Sequence, residues 1–398
     1  MSEAPASLTI RTYASLTDIP ATAWNACARP ETPTPSCEVN PSLSHQFLTA
    51  LEQSGTVSPG TGWAPHHLAV EQGKEIIAVA PAYIKSHSMG EYVFDHSWAD
   101  AYERAGGRYY PKLQLAVPFT PIPGGRFLAK EGPHSGAAQD LLMASIAALV
   151  ERSNLSSAHA TFLSQAECER ASQHGFLQRQ DQQFHWHNHG YLAFDDFLDA
   201  LTSRKRKAIR RERREALEPA ITIERVTGSD IAEAHWDAFF SFYMNTSARK
   251  WGRPYLNRLF FSLIGEQMSD QILLVMARRD GRYIAGALNL IGSHALYGRN
   301  WGALEHHPFL HFELCYYQAI DFAIERGLAR VEAGAQGEHK LARGYLPSPT
   351  YSAHYIASAS FRRAVAAYLE RERSAVDDMI ETLTELGPFR RGVAEIDS

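Results

Sequence analysis

The chain has 398 residues, 45% of them hydrophobic, enough apolar material for two substantial cores. Its 39 basic and 44 acidic side chains leave a net charge of only −5, which argues against a protein that coats nucleic acid along its whole surface. Cys27, Cys37, Cys168 and Cys315 show neither C-x-x-C spacing nor a compact secreted framework, the first residues offer no basic region followed by an apolar core, and no apolar run approaches the length of a membrane span. The expectation is therefore a soluble, cytoplasmic protein with reduced thiols.

In chain order, an early strand (8–13) precedes a loop punctuated by Pro30, Pro33, Pro35 and Pro41. SLSHQFLTALEQSG reads as a helix capped by Ser42 or Ser44, with Phe47, Leu48 and Leu51 on one face and Gly55 at its end. Two strands follow about the Gln72-Gly73 turn. Residues 87–110 are dense in Tyr, Trp, His and Asp and read as an aromatic loop. Such a segment suits an acceptor pocket, with Asp95 or Asp100 for an ammonium and His96 and Trp98 among its walls. A helix over 137–151 and two more strands complete the first half.

The second half repeats that order. Helices are expected over 195–217, 230–247 and 254–267, then three strands turning at Asp280-Gly281 and Gly292-Ser293, a helix over 308–326 ending at Gly327, and a strand over 329–333. A last amphipathic helix, 361–386, is expected to pack back on the first half. Within the first of these helices, residues 203–214 hold eight basic side chains and one acid, a local balance of +7 that leaves −12 for the rest. So concentrated a charge favours a phosphate-rich partner over a merely solvated face, with tRNA, a nucleotide-linked lipid donor and coenzyme A all fitting and with Arg206, Arg210, Arg211 and Arg213 as its contacts. The loop with Arg249, Lys250 and Trp251 is a second acceptor candidate, as are Tyr297 and Arg299, two apart on one strand and so on one face. His185, His187 and His189 alternate but lack an acidic or thiol partner, so no metal is expected.

The stretch GLARVEAGAQGEHKLARGY, 327–345, carries the most chemistry. Gly334 and Gly337 break a strand and admit a ligand to the backbone, and Lys340 and Arg343 place two cations beside the opening. Cations there suit a leaving group or oxyanion that becomes negative during acyl transfer. Glu332 and His339 are the candidate bases.

This segment, with FDDFLDALTSRKRKAIRRERREAL upstream, resembles the closing part of Fem-type aminoacyl transferases. The family's Phe-Lys and Phe-Gly pairs are replaced here by His339-Lys340 and Gly344-Tyr345. The resemblance implies an α/β (α+β) fold of two tandem GNAT-like domains with mixed sheets, 1–189 on the acceptor side and 190–398 on the donor side. It also implies that Gly334, Gln336, Gly337 and Tyr345 border the donor. A pyrophosphate loop of the form Arg/Gln-x-x-Gly-x-Gly/Ala is missing from the second half, which favours aminoacyl-tRNA over acyl-coenzyme A as co-substrate, with no bound cofactor. Coenzyme A-dependent N-acylation of an amine acceptor and a non-catalytic RNA- or phosphate-binding module stay open as alternatives.

Overall fold

The computed structural model describes residues 7–30, 33–34, 38–218, 220–250, 254–334 and 337–390, the side chains of 248–250 and 338 excepted. Its strands, in chain order, are β1 (Leu8–Tyr13), β2 (Trp63–Pro65), β3 (His67–Gln72), β4 (Glu75–Ala80), β5 (Ala82–Lys85), β6 (Lys112–Leu115), β7 (Leu128–Ala129) and β8 (Ser157–Leu163). They continue with β9 (Leu177–His187), β10 (Ile221–Thr227), β11 (Ile272–Arg279), β12 (Arg282–Ile291), β13 (Ala295–Ala303), β14 (Arg330–Glu332) and β15 (Leu346–Ile356). Two compact units result, residues 1–181 with 349–377, and residues 182–348 with 378–398.

In the first unit, β1-β3-β4-β7 form a small antiparallel sheet, and β15, β8, β6, β5 and β2 lie side by side in that order. β6 and β8 are parallel, and the helix Ser135–Arg152 lies between them in sequence. That helix buries Ala138, Leu142, Met143, Ile146 and Val150 against Leu68, Val70, Leu113 and Leu115. The helix His45–Gln53 begins where Ser44 accepts the Phe47 N–H, so the capping residue is Ser44. Residues 87–110, expected as a loop, contain the helix His96–Arg104, whose Trp98 and Ala99 pack with Tyr109, Val365 and Leu369.

In the second unit the order is β10-β11-β12-β13-β14-β9. Asp280 (φ 52°) and Gly281 (φ 76°) both take positive φ between β11 and β12, the backbone that a two-residue hairpin requires. β13 and β14 are the parallel pair, so each unit sets one parallel pair in an otherwise antiparallel arrangement. The helix expected over 195–217 is two, Phe194–Ala200 and Ser203–Ala216. It breaks because Leu201 is extended and buried, and Thr202 N–H donates to the Pro388 carbonyl. The helix expected over 308–326 contains a π turn, Glu313–Tyr317, between Leu310–Phe312 and Gln318–Glu325. Such turns bulge a helix and re-aim its side chains.

The helix Glu233–Lys250 lies against β13 where Gly302 has no side chain. A Cβ on Gly302 would sit 2.3 Å from the Phe242 carbonyl carbon and oxygen. Gly302→Ala is expected to lower the unfolding free energy by about 2–3 kcal/mol through overpacking. The check is a denaturant melt, with a lower midpoint and an unchanged m-value.

Candidate active site

The parallel pair in the second unit is short. Ala295, Leu296 and Tyr297 face Arg330, Val331 and Glu332, and beyond that register the two strands part. β13 runs on to Ala303, while the chain after Glu332 turns away through Gly334, at φ 76°. On the other side of β13, Asn289 faces Gly298 and Leu288 faces Asn300, so Arg299 is an extra, bulged residue. Gly298 keeps the opening clear, since a Cβ there would lie 3.3 Å from the Glu332 carbonyl oxygen and 3.6 Å from Asn289 Oδ1. Asn289 is only 1% exposed, and its Oδ1 accepts no hydrogen bond from the described residues. A buried acceptor without a donor is costly unless a ligand or water supplies one.

The short 3-10 helix Glu338–Arg343 closes this region. Lys340 is 3% exposed rather than lying open to solvent, and its ammonium donates to the Ala333 carbonyl at 2.5 Å and the Gly334 carbonyl at 2.9 Å. An ammonium has three N–H groups, so one remains for an incoming oxygen. Burial lowers the Lys340 pKa to about 8.

Arg343 is differently employed. Its guanidinium lies 3.4 Å from the centre of the Phe312 ring, donates to both Glu212 oxygens at 2.9 Å, and reaches the His339 carbonyl at 2.6 Å. Tyr317 also donates to Glu212. These contacts give Arg343 a structural function, joining the 3-10 helix to the helix Ser203–Ala216.

Glu332 is buried and paired with Arg330 at 2.8 Å, while its Oε2 accepts no hydrogen bond and stands 3.9 Å from His185 Nε2. Burial raises its carboxyl pKa against the pull of Arg330. His339 is exposed and meets the Tyr316 hydroxyl at 2.9 Å. Tyr345 is a core residue, donating to the Tyr316 carbonyl at 3.3 Å. Gly337 takes φ 113°, and a Cβ there would meet the His339 ring at 2.3 Å. Tyr297 is wholly buried and Arg299 half-buried. Gln336 and Trp251, and the side chains of Arg249 and Lys250, lie outside the described residues.

Acidic partners from outside the basic run meet much of its charge. Arg206 pairs with Asp199, Arg210 with Asp195 at 2.9 Å, and Arg213 with Glu313 at 3.0 Å and Asp321 at 2.6 Å. Arg211 lies 3.6 Å from Glu215 on the same helix. Arg204, Lys205, Lys207 and Arg214 form no ion pair among the described residues, so the charge available to a partner sits on them.

In the first unit, Asp95 belongs to a buried polar cluster. Its Oδ2 receives Lys112 at 2.6 Å and Tyr109 at 2.7 Å. Burial opposes its ionisation, but Lys112 and His159 hold the carboxyl well below the usual range. Asp95 is thus already paired with an ammonium of the chain itself. His159 Nδ1 meets His354 Nδ1 at 2.7 Å, and His354 Nε2 meets the Ser352 hydroxyl at 3.0 Å. Burial pushes the His159 pKa down to about 3 and His354 far below its ordinary value, leaving both rings neutral. Trp98 packs edge-on against His354, at 5.0 Å between ring centres, and His96 is exposed. Tyr109 lies in the 87–110 segment that the sequence singles out, whereas Lys112, His159 and His354 give no signal there, because they come from other segments.

A family model described as peptidoglycan biosynthesis/recognition, FemAB-like, matches residues 15–391. The chain belongs to the FemAB-like family. That membership sets it among acyltransferases, in a peptidoglycan-related role. No curated protein matches this FemAB-like chain by sequence. Among solved structures it is similar to FemX, at 12% identity and TM-score 0.53, over 88% of this chain and 97% of FemX. L-PGS from Bacillus licheniformis is similar at 9% identity and TM-score 0.50, over 89% and 98% of the two chains. A tandem GNAT protein from the clavulanic acid biosynthesis pathway aligns at 11% identity and TM-score 0.46, over 88% and 99%. At such identities the likeness speaks for the fold alone. That fold is α/β with mixed sheets in two tandem GNAT-like domains. No helix among the described residues is long and apolar enough to cross a membrane.

Replacing Glu212 by Gln leaves Arg343 buried against a neutral partner. Glu212→Gln is expected to cost about 3 kcal/mol of stability. In a double-mutant cycle with Arg343→Met, the combined loss should be smaller than the two single losses added; additive losses would show that the pair is not coupled.

Proposed function

We propose that this FemAB-like protein forms an amide by moving an acyl or aminoacyl group from an ester or thioester donor to an amine acceptor. The observation that carries this reading is the parting of β13 and β14 after Tyr297 and Glu332, with the Lys340 ammonium bonded to the two carbonyls that follow. An extended acyl chain can enter where β14 leaves β13, beyond Tyr297 and Glu332. The acceptor nitrogen attacks the donor carbonyl carbon, a C–N bond forms, and the C–O or C–S bond to the carrier breaks. Lys340 offers its third N–H to the oxygen that becomes negative. Glu332 takes the proton shed by the attacking amine through its unpartnered Oε2, and the departing oxygen or sulfur picks up a proton from solvent.

Aminoacyl-tRNA is the donor that suits the cations without an ion pair among the described residues, Arg204, Lys205, Lys207 and Arg214, because a polynucleotide meets several phosphate-binding side chains at once. The family's association with peptidoglycan points to an amine of a peptidoglycan precursor as acceptor. Both co-substrates then place the reaction in the cytoplasm.

Lys340→Met removes the donors while keeping most of the side-chain volume, and is expected to lower kcat about 10²- to 10³-fold. The ammonium is present below about pH 8 and is lost above it, so wild-type kcat should decline as pH rises through that value. Lys340→Met should lack that alkaline limb. An unchanged pH profile in the variant would remove Lys340 from the chemistry.

Donor identity is read from salt. For tRNA, binding should weaken steeply with added salt, and changing Arg204, Lys205, Lys207 and Arg214 to Gln should make the log–log slope shallower by about 0.7–0.9 for each phosphate-binding side chain removed. A coenzyme A thioester, with few phosphates, should show a gentle slope in both proteins.

A further inference from the structure

Below the surface of the first unit, two lysines and two carboxylates are enclosed together. Lys85 is 0% exposed, Lys112 1%, Glu91 4% and Asp95 2%. Burial lowers the Lys85 pKa to about 7 against the pull of Glu91. With Lys85 protonated and both histidines beside them neutral, the two positive and two negative charges cancel. Lys112 and Asp95 make a close, hydrogen-bonded pair at 2.6 Å.

Glu91 is held differently. Its Oε1 stands 3.4 Å from Lys112 Nζ and 3.6 Å from Lys85 Nζ, and it accepts no hydrogen bond from the described residues. It therefore has the attraction of two ammoniums without the short, charge-assisted contacts of about 2.7–2.9 Å that such a pair can give a carboxylate. Lys85 is fixed by other means, with its ammonium 3.6 Å from the centre of the Trp63 ring and bonded to the Met89 carbonyl at 3.0 Å. Lys112 is likewise anchored, to Ser88 Oγ at 2.7 Å. Both cations would keep their positions if Glu91 left, and the cluster would then carry one uncompensated positive charge. A monoanion restores neutrality, whereas a phosphate dianion would overcompensate.

Glu91 sits in an irregular stretch that exposes Met89 at 51%, Tyr92 at 37% and Phe94 at 55%, three apolar side chains within six residues. Tyr92, next to Glu91, holds φ 60°, a backbone setting uncommon for an aromatic residue. The surroundings of Glu91 thus pair buried cations with exposed apolar surface, the combination that an aliphatic carboxylate would use.

We propose that Lys85 and Lys112 form a binding site for the carboxylate of an aliphatic acid, and that the Glu91 side chain occupies this site in the absence of ligand. Glu91 acts as a tethered competitor, present at the high effective concentration of an intramolecular group. The proposal does not rest on acyl transfer, and binding is read without turnover, so its failure leaves the chemistry of the second unit untouched.

The test is a titration of the full chain with propionate, followed by ligand-observed NMR. Glu91→Gln keeps the shape and removes the competing charge, and is expected to bind propionate at least about tenfold more tightly than the wild type. Glu91→Gln combined with Lys112→Met should lose that binding. Should Glu91→Gln fail to fold, Glu91→Asp retains the charge on a shorter reach and is expected to show a smaller gain of the same sign. Equal affinity in wild type and the Glu91 variant, binding that survives loss of Lys112, or inorganic phosphate binding more tightly than propionate would each overturn the proposal.

Discussion

The second unit depends on one buried ammonium. Lys340 ties the chain back onto the carbonyls of Ala333 and Gly334, so the segment after β14 returns to the strand end instead of drifting into solvent. A cation enclosed to this degree is expensive unless its donors are used. Two carbonyl oxygens use two of them, the Gly334 carbonyl receiving the ammonium alongside the Phe184 N–H at 3.4 Å. The same arrangement keeps the lysine's third donor available while holding the group still, which is what stabilisation of a transient negative charge requires.

Arg343 shows how a neighbouring cation is put to other use. Its face is covered by Phe312 and its Nη1 and Nη2 groups donate to the His339 carbonyl and Glu212, so it joins two helices, while its Nε has no hydrogen-bond partner among the described residues. The first unit repeats the theme, with Asp95 closely paired and Glu91 loosely held among the same lysines.

What could be read from the sequence was local. Ser44 caps the His45–Gln53 helix, Asp280-Gly281 makes its hairpin, and Gly334 and Gly337 break the strand where they stand in the chain, because each depends on neighbours a few residues away. The basic run was legible as charge and illegible as chemistry. Asp195, Asp199, Glu313 and Asp321 reach it from other segments, and no periodicity within 203–214 announces them. Lys340 was legible as a cation beside the opening, but its burial was not, because that comes from a turn and from backbone acceptors that have no side-chain signature. The cluster around His159 was invisible for the same reason, since β8, β15 and the segment 85–112 must first be folded together.

The bulge at Arg299 has an effect on the solution behaviour of the chain. Beyond Tyr297, β13 has no strand paired with it on the side that β14 leaves, among the described residues, and such an edge on a regular strand would template the addition of a strand from another molecule. Here an extra residue breaks the repeat, and glycines at 298 and 302 lower the strand's intrinsic preference for pairing. The irregular edge is hard to extend by a second copy of the protein, yet it can still receive a short, flexible guest, and in this way the fold guards itself against self-assembly at the place where it is most open.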